Sequence, residues 1–172
     1  MGFAVVDRLA ERLSVSFKKR LFKSYWIGKT IRNGTSLYLV KPITFMNASG
    51  QVFPEILRET GLSPADILVV CDSLDLSPGS CRLKLKGSSG GHKGLESIIR
   101  RIGTDDFMRL VIGIGRPAHK GQVVGFVLDR PGGADSDLID KGIDRAADAV
   151  LLLLDQGPVR VMNEINRKEP AS

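Results

Sequence analysis

The chain has 172 residues, 42% hydrophobic and 26% charged, with a net charge of +6. That length supports one domain with its own core, and the apolar runs, such as Ala149–Leu154 closed by Asp155, are too short to cross a membrane. Two cysteines without zinc-ligand spacing and a start unlike a secretion signal argue against a structural metal and for a reducing, cytoplasmic setting.

Taken in chain order, Phe3, Val6, Leu9, Ala10 and Leu13 recur at helical spacing and predict an amphipathic helix over 2–14. Phe22–Thr30 and Ser36–Val40 read as two strands joined around Asn33-Gly34, a dipeptide favoured by tight hairpin turns. A helix is expected over 47–59, with Pro54 early in it or bending it. Asp66–Cys71 is a nearly continuous apolar run ending at Asp72, the pattern of a strand covered on both faces and parallel to a neighbour. Arg82–Lys86 alternates, which points Leu83 and Leu85 inward, and Met108–Ile114 forms a further strand closed by Gly115-Arg116-Pro117. A long helix over 136–154 and a shorter one over 159–167 complete the pattern. The elements predict a single α/β domain over residues 1–172, with a mixed, mostly parallel sheet flanked by helices on both faces.

The glycine-rich run Gly87–Gly94 leads directly into the apolar helical spacing of 95–101. A glycine turn at a helix start can offer unpaired N–H groups beside the positive end of the helix dipole, which suits a phosphate. An ordinary flexible loop with a helix cap is the competing reading. Charge adds weight to the first. Between Arg82 and Lys120 lie nine basic and three acidic residues, a local excess equal to that of the whole chain. A second basic group comprises Lys18, Lys19, Arg20 and Lys23. Such clustering fits a polyanionic partner, nucleic acid first among them, against the alternative of a merely solvated face.

In alternating α/β folds, ligands gather outside the carboxyl ends of strands. Asp72 is predicted at such an end, where a carboxylate can orient a histidine; a turn cap is the other reading. Asn47 follows the hairpin and either holds a substrate carbonyl or water, or caps the next helix.

The segments Thr44–Gly50, Cys71–Gly79 and Gly90–Leu95, with Arg109–Pro117 and Val124–Leu128, closely resemble bacterial peptidyl-tRNA hydrolase, in order and across nearly the whole chain. The resemblance implies hydrolysis of the ester between a peptide and the terminal ribose of tRNA, with peptidyl-tRNA as partner. It also implies no cofactor, no metal and no membrane, with a monomeric protein expected. Carried across, Asp72 is the carboxylate that orients the catalytic histidine, Asn47 positions substrate, and Phe45 contacts the acceptor end. His92, Lys93, Arg109 and Arg116 then fall to substrate and tRNA binding.

Two departures from the family pattern stand out. The family opens with a strand, a Gly-Asn-Pro-Gly turn and a run supplying the catalytic His-Asn pair. Met1–Asp7 aligns just after that pair, so the fold is expected to lack the family's first strand and the general base falls ahead of Met1. Met1 is then expected to be an internal methionine. Lys93 stands where the family usually has asparagine; a lysine donates but cannot accept. Two further readings are a non-catalytic RNA-binding relative, and a different phosphate-binding enzyme pairing His92 with Asp72 or Asp75. His119 is assigned to a surface loop without a catalytic role.

Overall fold

The computed structural model describes residues 1–116 and 134–166. His119, Lys120, the Val124–Leu128 motif and Arg167, the expected end of the last helix, lie outside the described residues. In chain order come α1 (Gly2–Arg12), β1 (Lys18–Lys19), β2 (Tyr25–Arg32), β3 (Thr35–Pro42), a 3-10 helix (Met46–Val52) and α2 (Phe53–Thr60). A short 3-10 turn (Pro64–Asp66) precedes β4 (Leu68–Ser73), β5 (Cys81–Lys84), α3 (Lys93–Ile102), β6 (Met108–Gly113), α4 (Ala134–Gln156) and α5 (Pro158–Ile165). The α/β class stands, with the strands divided between two three-stranded sheets, β1-β2-β3 and β4-β6-β5. The described residues cluster into two compact units. One holds Met1–Arg8, Val70–Leu83 and the residues from Leu110 onward; the other holds Leu9–Val69 and Lys84–Arg109.

In the first unit, β6 contributes the buried Leu110, Val111 and Ile112, and Ile114 follows it. Ile139, Ile143, Ala146, Ala147 and Val150 of α4, Val161 of α5 and Val5 of α1 are buried with them. Each large aliphatic side chain so removed from water contributes about 1.5–3 kcal/mol. Asn166 fastens β5 through both ends of its amide: Oδ1 accepts from the Leu83 N–H at 2.8 Å and Nδ2 donates to the Leu83 carbonyl at 2.9 Å. The Cys81 thiol donates to the Gly142 carbonyl, and burial pushes its pKa up to about 11, so it stays protonated at neutral pH.

Two expectations about these strands need correcting. Among the described residues β4 stands at the end of its sheet, with β6 in the middle, and its Leu68, Val69 and Val70 are only half-buried. Leu83 is 1% exposed as expected, but Leu85 is 43% exposed because β5 ends at Lys84 and the alternation stops there.

The second unit is built on the hairpin. Asn33 and Gly34 have φ of 49° and 78°, the two consecutive positive values that a type I′ turn requires. The turn sets the register from Tyr25↔Pro42 to Arg32↔Thr35. Tyr25, Val52 and Ile56 form a core with Ile27, Val40 and Phe53 against it. The Lys23–Glu55 and Arg20–Glu59 ion pairs lie over the same ground, and burial raises the Tyr25 phenol above its ordinary range. The helix expected over 47–59 is two elements. Pro54, which has no N–H to give a preceding turn, occupies the first turn of α2 and starts that helix instead of bending a longer one.

Candidate active site

The site is laid out by the 3-10 helix and α3. Gly50 lets them approach: its N–H donates to the buried Ser97 Oγ at 3.0 Å. A Cβ at Gly50 would stand 2.5 Å from the Ser97 carbonyl carbon and 2.8 Å from the Ile98 nitrogen. At the other end, Met46 Sδ lies against Gly94. Residues 46–50 therefore run alongside 94–97, and Asn47 and His92 sit on adjoining elements. Asn47 is exposed inside the 3-10 helix, whose N-cap is Phe45, so the reading of Asn47 as a helix cap does not hold. It lines an open groove of about 220 Å³ with Ala48, Gln51, Ser97, Arg100 and Arg101. Phe45 stands 86% exposed and Met46 56% exposed beside it.

His92 caps α3 with its own side chain. Nδ1 accepts from the Gly94 N–H at 3.1 Å and the Leu95 N–H at 3.2 Å. An Nδ1 that accepts two N–H bonds carries no proton, so the neutral ring bears its hydrogen on Nε2. Those two donors are among the ones the glycine loop was expected to offer a phosphate, and the protein's own imidazole occupies them. The loop turns back on itself as well, with the His92 N–H donating to the Ser89 carbonyl at 3.0 Å. Lys93 is exposed at the first turn, near Glu96 at 4.0 Å.

The basic residues do not all surround that loop. Arg100 and Arg101 occupy the last turn of α3, roughly 12–14 Å along the axis from His92 at 1.5 Å per residue. There they suit the negative end of the helix dipole and flank Asn47 in the groove. Arg109 is only 2% exposed. Its guanidinium donates to the carbonyls of Gly87, Ser88 (3.2 Å) and Asp105 (3.0 Å), and stacks 4.4 Å from the Phe107 ring centroid. It holds the glycine loop from beneath.

Phe45, Asn47, His92, Lys93 and Arg109 thus belong to the second unit, and Asp72 and Arg116 to the first. Asp72 is the half-buried penultimate residue of β4, so it is part of a strand and not a turn cap. Arg116 is exposed and pairs with Asp75. Sequence reasoning did not single out Gln51, nor place Arg100 and Arg101 beside Asn47. The only available signal was Gly50, a residue small enough for two elements to cross.

The family model described as peptidyl-tRNA hydrolase matches residues 1–172. The chain is 41% identical over 166 residues to the peptidyl-tRNA hydrolase of Geobacillus kaustophilus, covering 96% of this chain and 89% of that protein. It is 43% identical over 170 residues to the one from Sodalis glossinidius, covering 98% and 88%. The crystal structure of peptidyl-tRNA hydrolase from Acinetobacter baumannii superposes with a TM-score of 0.89 at 36% identity, covering 98% of this chain and 86% of that one. Matched along its whole length by the family and in three dimensions by a solved member, this chain belongs to the peptidyl-tRNA hydrolase family.

Proposed function

We propose that this chain hydrolyses the ester joining a peptide to the 3′-terminal ribose of tRNA, as a monomer in the cytoplasm, with residues 1–172 working as one domain. The observation that carries this is Asn47, exposed on a groove with Arg100 and Arg101 and two residues from the solvent-exposed Phe45. The Phe45 ring offers a face to the terminal base; such stacking contributes about 1–3 kcal/mol. The Asn47 amide N–H donates to the ester carbonyl oxygen. That oxygen gains negative charge as water adds, so the bond strengthens toward the transition state, and one such donor supplies about 10²–10³-fold in rate.

Water attacks the carbonyl carbon, the bond to the ribose oxygen breaks, and the proton passes from the water to that oxygen. The proton carrier is a histidine, and Asp72 is assigned to orient it and stabilise its charged form. Arg100, Arg101, Lys93 and Arg116 meet tRNA phosphates, with His92 placing Lys93 at the start of α3. Arg109 acts through the loop that it supports. Cys71 and Cys81 are buried and form no disulfide, which suits a reducing compartment.

The test is release of N-acetyl amino acid from N-acetyl-aminoacyl-tRNA. The 172-residue chain is run beside a form carrying the family's His-Asn segment ahead of Met1. Release by the extended form, leaving intact tRNA, is the expected result. Binding of tRNA without release by either form would make the protein a non-catalytic RNA-binding relative. Release by the 172-residue chain, abolished by His92→Ala, would instead assign the base to His92.

A further inference from the structure

The basic group near the N-terminus has no part in the site described above. Arg20 and Lys23 are held by Glu59 and Glu55. Lys18 and Lys19 form the exposed strand β1 and make no ion pair among the described residues. The sheet register sets Lys19 opposite Trp26, and Trp26 opposite Lys41. Residues directly opposed on antiparallel strands project from the same face. One row across the sheet therefore reads cation, indole, cation. Trp26 is 37% exposed, and the Lys41 ammonium lies 4.4 Å from the Phe17 ring centroid, which brings a second aromatic to the row. A Cβ at Gly28 would meet Phe17 Cδ1 at 3.7 Å and Val15 Cγ1 at 2.5 Å. Residues 15–17 thus cover the sheet at Gly28, whereas Trp26, two positions earlier on the same face, keeps about a third of its surface exposed.

We infer that the Lys19–Trp26–Lys41 row binds single-stranded RNA, one base stacking on the Trp26 indole while flanking phosphates meet the two ammonium groups. Charge complementarity selects this occupant. A partner must present negative charge on either side of a flat apolar surface, which an unpaired nucleotide does. An acidic peptide would satisfy the lysines and leave the indole uncovered, and an apolar helix would do the reverse. Phe45 is four positions after Lys41, so their Cα atoms are at most about 15 Å apart. A strand whose 3′ end lies at Phe45 reaches Trp26 within a few nucleotides; this extension rests on the proposed function, whereas the stacking row itself does not.

Trp26 is the chain's single tryptophan, so its fluorescence reports on the row alone. Titrating the full chain with a 12-mer of oligoadenylate at low salt is expected to give saturable quenching that weakens as salt is raised. With a labelled 12-mer, Trp26→Ala is expected to weaken binding about 5- to 100-fold, and Trp26→Phe to restore most of it. Lys19→Gln and Lys41→Gln should each weaken binding and reduce the slope of log Kd against log salt by about 0.7. Circular dichroism checks that each variant is folded, and Trp26→Phe keeps the test decisive if Trp26→Ala is not. No quenching at low salt, or labelled-RNA binding indifferent to all these changes, overturns the inference. Turnover of N-acetyl-aminoacyl-tRNA with no quenching refutes the row alone; quenching without turnover refutes the enzymatic reading alone.

Discussion

Replacing Arg109 by alanine is expected to lower stability by about 3–5 kcal/mol, as much as the whole margin of a weakly stable domain. The side chain is 2% exposed and its guanidinium serves the carbonyls of Gly87, Ser88 and Asp105 at once. Alanine leaves those acceptors without their donors, at about 1–3 kcal/mol for each that water cannot reach, and adds a cavity beside Phe107. The terms overlap, which keeps the total below their sum. Arg109→Lys should recover less than half, since a single ammonium cannot span three carbonyls as the planar fork does. Urea unfolding measures the loss, and amide exchange over residues 87–91 shows whether the loop has been released. A loss under about 1 kcal/mol would mean that Arg109 is not the loop's support.

Gly50→Ala is expected to cost about 3 kcal/mol and to impair turnover with it. The new methyl would press into the backbone of Ser97 and Ile98 in α3, not into a side chain that can move aside. Relief requires the 3-10 helix to shift, and Asn47 shifts with it. Gly61→Ala is the useful comparison. Gly61 ends α2 with a φ of 71° and nothing within 4 Å of its would-be Cβ, so only backbone strain of about 1–2 kcal/mol applies. Thermal unfolding of the two variants should therefore rank Gly50→Ala as the more damaging, and only Gly50→Ala should reduce activity beyond its effect on folding. The reverse ranking would contradict the close crossing.

Elements with a regular apolar pattern or a turn of defined chemistry were legible in the sequence. The α1 helix, the Asn33-Gly34 hairpin and β6 fall close to where periodicity and turn chemistry put them. What escaped was set by tertiary contact or by a single backbone group. β1 is two lysines with no apolar alternation and exists through pairing with Trp26 and Ile27. The break between the 3-10 helix and α2 hangs on the missing N–H of Pro54. His92 looked like part of an anion cradle, but a histidine one residue before a helix can fill that cradle itself. Arg109 counted as surface charge, because nothing local reveals that β6 buries it under the glycine loop. For the site, the sequence supplied Asn47 and Phe45 through resemblance. The groove with Gln51, Arg100 and Arg101 came only from the crossing of two helices.

The most direct measurement is single-turnover release of N-acetyl amino acid from N-acetyl-aminoacyl-tRNA by Asn47→Ala, made in the form of the chain that turns over. Binding of deacylated tRNA is measured beside it. If Asn47 holds the carbonyl oxygen, the rate falls about 10²–10³-fold while tRNA affinity changes little, since the interaction grows only as the transition state is approached. Release at the wild-type rate would place the chemistry elsewhere and remove the groove from the reaction.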